Sequence, residues 1–443
     1  MATTKPRGGI TGLAGYSLFV LTVAYFLSYI DRQILSLMVG PIKRDLGLTD
    51  TAFSLLHGLA FALFYTLLGI PIAKLADNRN RTRLIAAGIA LWSLATVVSG
   101  MARSFGQLFL ARIVVGVGEA SLSPAAYSII ADRFGVSGMG RAIGVYSSAV
   151  FLGIGASFII GGVLVSGLEA AGGLTLPILG HLSSWQATFV IIGLPGLLVA
   201  LWVLTLPEPK RVSLAGTDAG AALSNSQILG WLGANRRVYL LHFSGFAMVT
   251  LLFNAVLAWA PELFIRIHGL ERADIGIKLG GMTAAVGAAG VIAGGWFSDF
   301  LAKRGDSSAP ITSALVGCVC LTPCAIAAPL MPTASAALWL FAPLLFFASF
   351  PFGPAASSLQ VITPPRMRAQ VSAVYLFVVN LTGIGFGGTA TALVTDYVFA
   401  DPQRLHHAMG LISLLAGLAS CLLLYAVLKP FRRLQTGLLE AAQ

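Results

Sequence analysis

Four charged residues lie inside stretches of the sequence that are otherwise apolar. Asp31 and Arg32 interrupt the first apolar stretch. Arg112 and Glu119 interrupt the fourth. A charge in the hydrocarbon layer of a membrane costs at least ~2.5–3.5 kcal/mol on insertion scales and is normally functional. Two acids and two bases at such positions can exchange ion-pair partners and can take up or release a proton.

The four residue types suit different tasks. Glu119 would lie near mid-membrane, where a carboxylate must be paired or protonated, so we predict that it carries a coupled proton. Asp31 is a second candidate for the proton, or a partner for one of the arginines. Arg32 and Arg112 are permanent cations with planar forks that fit carboxylate or phosphate, which predicts that they hold a charged headgroup. The alternative is a static ion-pair network that only fixes helix packing.

The composition is that of a membrane protein. Of the 443 residues, 57% are hydrophobic and 10% are charged, whereas a soluble domain usually carries about 25% charged residues. Apolar stretches long enough to cross a ~30 Å hydrocarbon core recur along the whole chain. We predict twelve spans, approximately at residues 12–40, 52–76, 82–101, 105–131, 139–167, 184–206, 238–266, 276–301, 310–331, 335–362, 367–395 and 406–428.

The basic residues follow membrane topology, although a net charge of +11 could also indicate nucleic-acid binding. With both termini inside, 19 of the 28 lysines and arginines fall in inner segments and 7 in outer ones. The positive-inside rule therefore places both termini in the cytoplasm. The first apolar stretch is too long, and too charged, for a signal peptide, so we expect a retained helix. The short loops favour a bacterial inner membrane.

These spans set the depths of the four charges. At 1.5 Å per residue, Asp31 lies ~13 Å from the outer end of span 1, and Arg112 lies ~10 Å from the outer end of span 4. The two can share one layer if these spans are neighbours. Glu119 follows Arg112 by about two turns, so both face the same way, with Glu119 ~10 Å deeper.

Two cytoplasmic landmarks recur in both halves of the sequence. Asp77, after span 2, and Asp299, after span 8, are 222 residues apart. Arg141, after span 4, and Arg368, after span 10, are 227 residues apart. A nearly constant offset indicates an internal repeat.

The repeat defines the predicted fold, an all-α membrane protein with twelve transmembrane helices in two six-helix bundles. Residues 1–206 form the N-terminal bundle, 207–237 a polar cytoplasmic linker, and 238–443 the C-terminal bundle.

Two segments resemble the major facilitator superfamily, and the resemblance covers the whole chain. One is Ala73-Lys74-Leu75-Ala76-Asp77 with the basic residues after it, although Ala73 and Asn80 replace glycines of the usual pattern. The other is the segment from Arg112 to Ala120 in span 4. The resemblance implies the major facilitator fold and alternating access.

Within that superfamily, Tyr29-Ile30-Asp31-Arg32-Gln33 together with Gly116-Val117-Gly118-Glu119-Ala120 resembles the spinster family. That family is associated with proton-linked movement of lysolipids and sphingoid phosphates. The Tyr-x-Asp-Arg element also occurs in organic-anion symporters, so a substrate of that class stays open.

The recurring aspartates predict a gate on the cytoplasmic side. Each lies near a helix end, where it can pair with basic loop residues or a helix N-terminus and so latch the two bundles. Topology alone explains most of the basic residues there. The predicted gate consists of Asp77, Arg79, Arg81, Arg83, Arg141, Asp299 and Arg368.

The predicted cavity is lopsided, since the C-terminal half offers no charge at mid-span. One wall would be charged and the other apolar and aromatic, although phenylalanines that only pack would look the same. His57 fits a packed or polar lining residue better than a proton relay. The predicted lining is His57, Phe253, Asn254, Trp259, Phe350, Gln360, Tyr375, Phe377 and Asn380.

The sequence therefore predicts a proton-coupled secondary transporter that moves an amphiphile with an anionic or zwitterionic head, of the lysophospholipid or sphingoid phosphate class. The alternative keeps the fold but moves small organic anions or drugs. A membrane enzyme or a receptor is a third class, which no nucleophile–base pair, metal cluster or appended domain supports. We expect no cofactor, no metal and no nucleic-acid partner. We expect a monomer that interacts with membrane lipids, protons and the substrate.

Overall fold

The computed structural model describes the chain except residues 1–11, 178–179, 210–224, 365–366 and 441–443, and the side chains of a few helical residues. Its described part contains twelve helices long and apolar enough to cross a membrane, which confirms the predicted fold class. Spans 1 to 12 are Gly12–Leu37, Asp50–Gly69, Arg81–Ser99, Phe105–Phe134, Arg141–Ala170, Ser184–Val203, Arg236–Ile267, Arg272–Lys303, Ala309–Leu330, Ala334–Ile362, Gln370–Val398 and Pro402–Leu438.

Short elements connect the spans. A helix, Val39–Leu46, follows span 1. An antiparallel hairpin, β1 (Leu174–Leu176) and β2 (Gly180–Leu182), connects spans 5 and 6. The middle of the predicted linker lies outside the described residues, and a helix, Asn225–Ala234, precedes span 7. The helix of span 12 continues past Pro430 to Glu440, well beyond the predicted end.

Side-chain caps explain where several spans begin. The side chain of Asn80 accepts from the backbone N–H of Arg83, at 2.8 Å, directly before span 3. Ser104 caps span 4 and Thr333 caps span 10 in the same way. A cap satisfies one of the free N–H groups of the first helical turn.

The helix Leu122–Ala170 contains the end of span 4 and all of span 5. The rings of Tyr127 and Tyr146 lie only 5.4 Å apart, whereas a straight helix would separate them by about 28 Å. The segment therefore folds back on itself between the two spans.

We call the side of the bundle where span 1 begins and span 12 ends the linker side, and the opposite side the distal side. Buried apolar residues form one cluster within residues 18–206 and another within residues 228–431. A third cluster joins both halves and includes Phe158, Leu257 and Phe264. Its members come from the distal parts of the spans, so the two halves pack together there.

Spans 5 and 8 touch through their backbones in this distal region. A Cβ added to Gly280 would lie 2.4 Å from the carbonyl oxygen of Gly155. A Cβ added to Gly276 would lie 2.4 Å from the carbonyl oxygen of Phe158. No larger residue fits at either glycine without moving the spans apart.

We expect Gly280→Ala to lower the melting temperature of the detergent-solubilised protein, because overpacking costs about 1–3 kcal/mol. Gly281 is a matched control, since a Cβ there would have no atom within 4 Å. Gly281→Ala should leave the melting temperature unchanged or raise it slightly, because alanine is the better helix former. Equal melting temperatures for the two variants would contradict the close contact of spans 5 and 8.

Candidate functional site

The structure brings the four predicted charges of spans 1 and 4 into one buried group. A guanidinium nitrogen (Nη2) of Arg32 lies 2.6 Å from Oε2 of Glu119. Both side chains are nearly excluded from the surface, with 9% and 1% exposed. Removal of one partner of a buried ion pair destabilises a protein by about 3–5 kcal/mol, because the remaining charge is left uncompensated.

Asp31 does not share this ion pair. Its Oδ2 accepts a hydrogen bond from the hydroxyl of Thr96 in span 3, at 2.7 Å. Its Oδ1 is buried and has no hydrogen-bond partner among the described residues. Asp31 therefore keeps one free acceptor atom beside the Arg32–Glu119 pair.

Arg112 is the most unusual member of the group. It is completely buried, yet within the described part of the chain none of its three guanidinium nitrogens has a hydrogen-bond partner. The charges of Asp31 and Glu119 act on it through space. Buried arginines are normally hydrogen-bonded, and an unsatisfied one costs free energy that is tolerated chiefly at functional sites.

His57 lies next to the same cations. It belongs to a π-helical turn, Leu55–Leu59, in span 2, and the charges of Arg112 and Arg32 act on it. Its Nε2 is buried without a hydrogen-bond partner in the described residues. Single π-turns inside helices are frequent at functional sites.

Aromatic rings enclose the guanidinium of Arg32. Its central carbon lies 4.7 Å from the ring centre of Tyr29, 4.3 Å from that of Phe61 and 5.1 Å from that of Tyr65. Such contacts contribute about 2 kcal/mol when they are desolvated. They keep Arg32 in place even when Glu119 is neutral.

A group of tyrosines, all in the first half, continues from Tyr29. Tyr25 contacts Tyr29 edge to face at 5.2 Å and stacks on Tyr146 at 4.4 Å. Tyr127 contacts Tyr146 at 5.4 Å. These tyrosines were not among the residues predicted from the sequence, although the spacing of Tyr25 and Tyr29 places both on one face of span 1.

Of the predicted lining residues in the second half, Phe253 contacts the first half. Phe253 packs between Phe151 of span 5 and Phe352, with ring centres 6.5 and 5.3 Å away. Asn254 is half-buried and donates to the carbonyl oxygen of Thr250 in its own helix. Phe377 and Asn380, also predicted to line the cavity, are half-buried as well.

The remaining predicted lining residues are packed inside the second half or lie on its surface. Trp259 is buried and donates to the carbonyl oxygen of Gly388 at 2.8 Å. Phe350 is buried among the phenylalanines of spans 8 and 10. Tyr375 packs against His242, and Gln360 is exposed on its span.

Arg81, one of the predicted gate residues, makes its described contacts with the first half and the start of the linker. Arg81 is buried and binds Asp132 of the first half at 2.5 Å and Glu208, at the start of the linker, at 2.7 Å. Burial alone would raise the pKa of Glu208, but hydrogen bonds from Arg81 and Thr82 outweigh it and lower that pKa. The Arg81 cluster therefore stabilises the first half internally.

The other gate residues lie on the linker side. Asp299 is exposed and has no ion-pair partner among the described residues. Arg368 donates to the carbonyl oxygen of Thr363 in its own half. The side chain of Asp77 lies outside the described residues. The remaining gate residues lie at or near span ends and are Arg79, Arg83 and Arg141.

Among the described residues, the ion pairs that join the halves lie on the distal side, where none was predicted from the sequence. Arg266 of span 7 binds the buried carboxylate of Asp50 at 2.7 Å, and Lys43 binds the same carboxylate. Arg272 of span 8 binds Glu169 of span 5. In this conformation the two halves are therefore tied together distally.

The described residues contain no group of three or more His, Cys, Asp or Glu side chains that could hold a metal ion. Cys318 is buried, and Cys320, Cys324 and Cys421 are partly buried, all within spans.

Comparison with known proteins gives consistent matches along the chain. The family model described as Major Facilitator Superfamily matches residues 21–388. The chain is 27% identical over 396 residues to an MFS-type efflux pump of Mycolicibacterium smegmatis, a match that covers 89% of this chain and 87% of that protein. It is 27% identical over 403 residues to a probable L-galactonate transporter of Escherichia coli, covering 86% and 83%.

A solved structure matches over almost the whole length of both chains. It is the crystal structure of a bacterial homolog to the human lysosomal transporter Spinster, in an inward-facing and unoccupied conformation. The TM-score is 0.79 at 29% sequence identity, and the match covers 98% of this chain and 99% of that one. The sequence-based resemblance to the spinster family is confirmed.

Proposed function

Because this chain belongs to the Major Facilitator Superfamily and has spinster-like relatives, we propose that it is a proton-coupled transporter that works by alternating access. The observation that carries the proposal is the buried ion pair between Arg32 and Glu119, beside the unpartnered Arg112. A proton can neutralise Glu119 and release Arg32 for another anion.

The coupling follows from this exchange of partners. When Glu119 is ionised, it occupies Arg32, and an anionic headgroup must compete with it. When Glu119 is protonated, the headgroup can bind Arg32 and Arg112 together without leaving either cation uncompensated. Proton and anion therefore favour each other's binding, and Asp31, with its free acceptor atom, is a second place for the proton.

The distribution of basic residues supports cytoplasmic termini, so the linker side would face the cytoplasm. The distal ion pairs would then close the outer side, and the protein would be open toward the cytoplasm. In the opposite state Asp77 and Asp299 would pair with the basic residues near them and latch the linker side. The bacterial relatives support a bacterial inner membrane.

An amphiphile is the substrate that best fits the charge distribution. The deep charges lie in spans 1 and 4, whereas Phe253 and Phe377 of the second half are apolar. The head would contact the arginines and the tyrosine rings, and the chain would contact the second half. The relative from Escherichia coli, named for a sugar acid, supports the alternative of a small organic anion.

Uptake into proteoliposomes distinguishes these substrates. The panel contains lysophospholipids and sphingoid phosphates of increasing chain length, and small carboxylates, each with and without a pH gradient. Each buried methylene contributes about 0.8 kcal/mol, so affinity should rise roughly fourfold per methylene until the cavity is filled. The pH gradient should drive accumulation of the long-chain members.

A chainless anion that binds as tightly as its long-chain analogue would contradict the lipid assignment and favour the organic-anion alternative. Protein-free liposomes correct for the spontaneous partition of amphiphiles into the bilayer.

A further inference from the structure

A basic cleft of about 1210 Å³ lies on the linker side, where span 7 begins and span 12 nears its end. Arg236 and Arg237 line it from span 7. Lys429, Arg432 and Arg433 line it from span 12, and no acidic residue is among the described residues that line it. The cleft belongs to the second half alone and is separate from the charged group of spans 1 and 4.

Four of these cations have no acidic partner in the part of the chain that the structure describes. Arg432 is held by Asp306 at 3.3 Å and by Ser308 at 2.8 Å. Among the described residues, no carboxylate lies within 4 Å of the other four, which are Arg236, Arg237, Lys429 and Arg433. All four are exposed, so their charges are available to a ligand.

The start of span 7 adds to the positive potential. Its helix begins at Arg236, and the side chain of the preceding Asn235 makes no capping hydrogen bond. The preceding helix ends at Ala234, so its C-terminal dipole offsets that of span 7, and the positive potential here comes from the arginine side chains. Topology requires basic residues on this side, but it does not require them to converge on an uncapped helix end.

The walls of the cleft indicate which anion fits. Tyr425, which is 69% exposed, and Leu428 and Leu434 line it together with the cations. Tyr425 and the exposed Leu422 lie on the outward surface of span 12, next to the membrane. A headgroup bound by the cations would therefore have its acyl chains along span 12, an arrangement that a free ion cannot use.

We propose that this cleft binds the headgroup of an anionic phospholipid. The bound lipid neutralises the ends of spans 7 and 12, and it stabilises the second half from the membrane side. The site differs from the transport site in residues, depth and half of the molecule.

The test uses the full chain in neutral detergent and records the melting temperature during titration with short-chain phosphatidylglycerol. The comparison ligands are short-chain phosphatidylcholine and inorganic phosphate. The variants are Arg236→Gln with Arg237→Gln, and Lys429→Gln with Arg433→Gln. The matched control is Lys303→Gln with Arg304→Gln, which removes two exposed cations elsewhere on the linker side.

Phosphatidylglycerol should raise the melting temperature of the wild type and of the control, since a ligand of the folded state stabilises it. Each cleft variant should lose at least half of that rise. Arg236→Lys with Arg237→Lys should keep most of it, which separates loss of charge from misfolding. Arg112→Gln should also keep it, because Arg112 lies elsewhere.

Three outcomes would overturn the proposal. The first is an equal loss in the control, which would indicate a general effect of charge. The second is an equal rise with phosphatidylcholine or with phosphate alone. The third is an unchanged rise in both cleft variants.

Discussion

Glu119→Gln is expected to abolish accumulation driven by a pH gradient. Glutamine has the shape of glutamate and can still accept a hydrogen bond from Arg32, but it cannot take up or release a proton at neutral pH. The exchange of Arg32 between Glu119 and the headgroup would then no longer depend on pH. Coupling free energies of 1–3 kcal/mol correspond to roughly 5–150-fold in affinity, and this coupling should vanish.

Exchange of substrate at equal pH on both sides should survive in this variant, because it requires binding and conformational change but no net proton movement. The measurement is uptake into proteoliposomes, with and without the gradient. Glu271→Gln is the matched control, since Glu271 is exposed at the start of span 8 and should behave as wild type. Gradient-driven uptake by Glu119→Gln at the wild-type level would rule out its proton-carrying role.

Arg112→Gln should weaken binding of an anionic substrate by roughly 10–100-fold, since a hydrogen bond to a charged group contributes about 1.5–3 kcal/mol. The effect should be large because, within the described part of the chain, none of the three guanidinium nitrogens of Arg112 has a hydrogen-bond partner that competes with the substrate. Arg112→Lys should recover little of it, because an ammonium lacks the planar fork that binds two oxygens together.

Equilibrium binding of a labelled substrate to the purified protein measures this effect. Arg103→Gln is the control, since Arg103 is an exposed arginine on the distal side. Wild-type affinity in Arg112→Lys would exclude a bidentate headgroup site. Unchanged affinity in Arg112→Gln would indicate that its buried charge has a structural role instead.

The sequence predicted the charged group but not its pairing. Residue spacing along spans 1 and 4 gives the depth of each backbone position, which was enough to place the four residues near one another. Arg32 pairs with Glu119, which backbone depth placed well below it, because a long arginine side chain reaches across that interval. Helix periodicity gives the face on which a residue lies, but not how far a long side chain reaches along the helix axis.

The sequence also did not predict which side is closed. Asp50 and Arg266 are 216 residues apart, and nothing in their local sequence relates them. A transporter must adopt states closed on either side, and one sequence specifies all of them. The linker-side aspartates remain a prediction for the other state.

The central claim is that movement of the amphiphile and of protons is coupled through Glu119. The most direct measurement is the internal pH of proteoliposomes that contain a pH-sensitive dye, after a gradient of a long-chain lysophospholipid is imposed without a pH gradient. We expect a pH change with the wild type and with Glu271→Gln, and none with Glu119→Gln. Wild-type protein that moves the lipid down its gradient without any pH change would contradict the account.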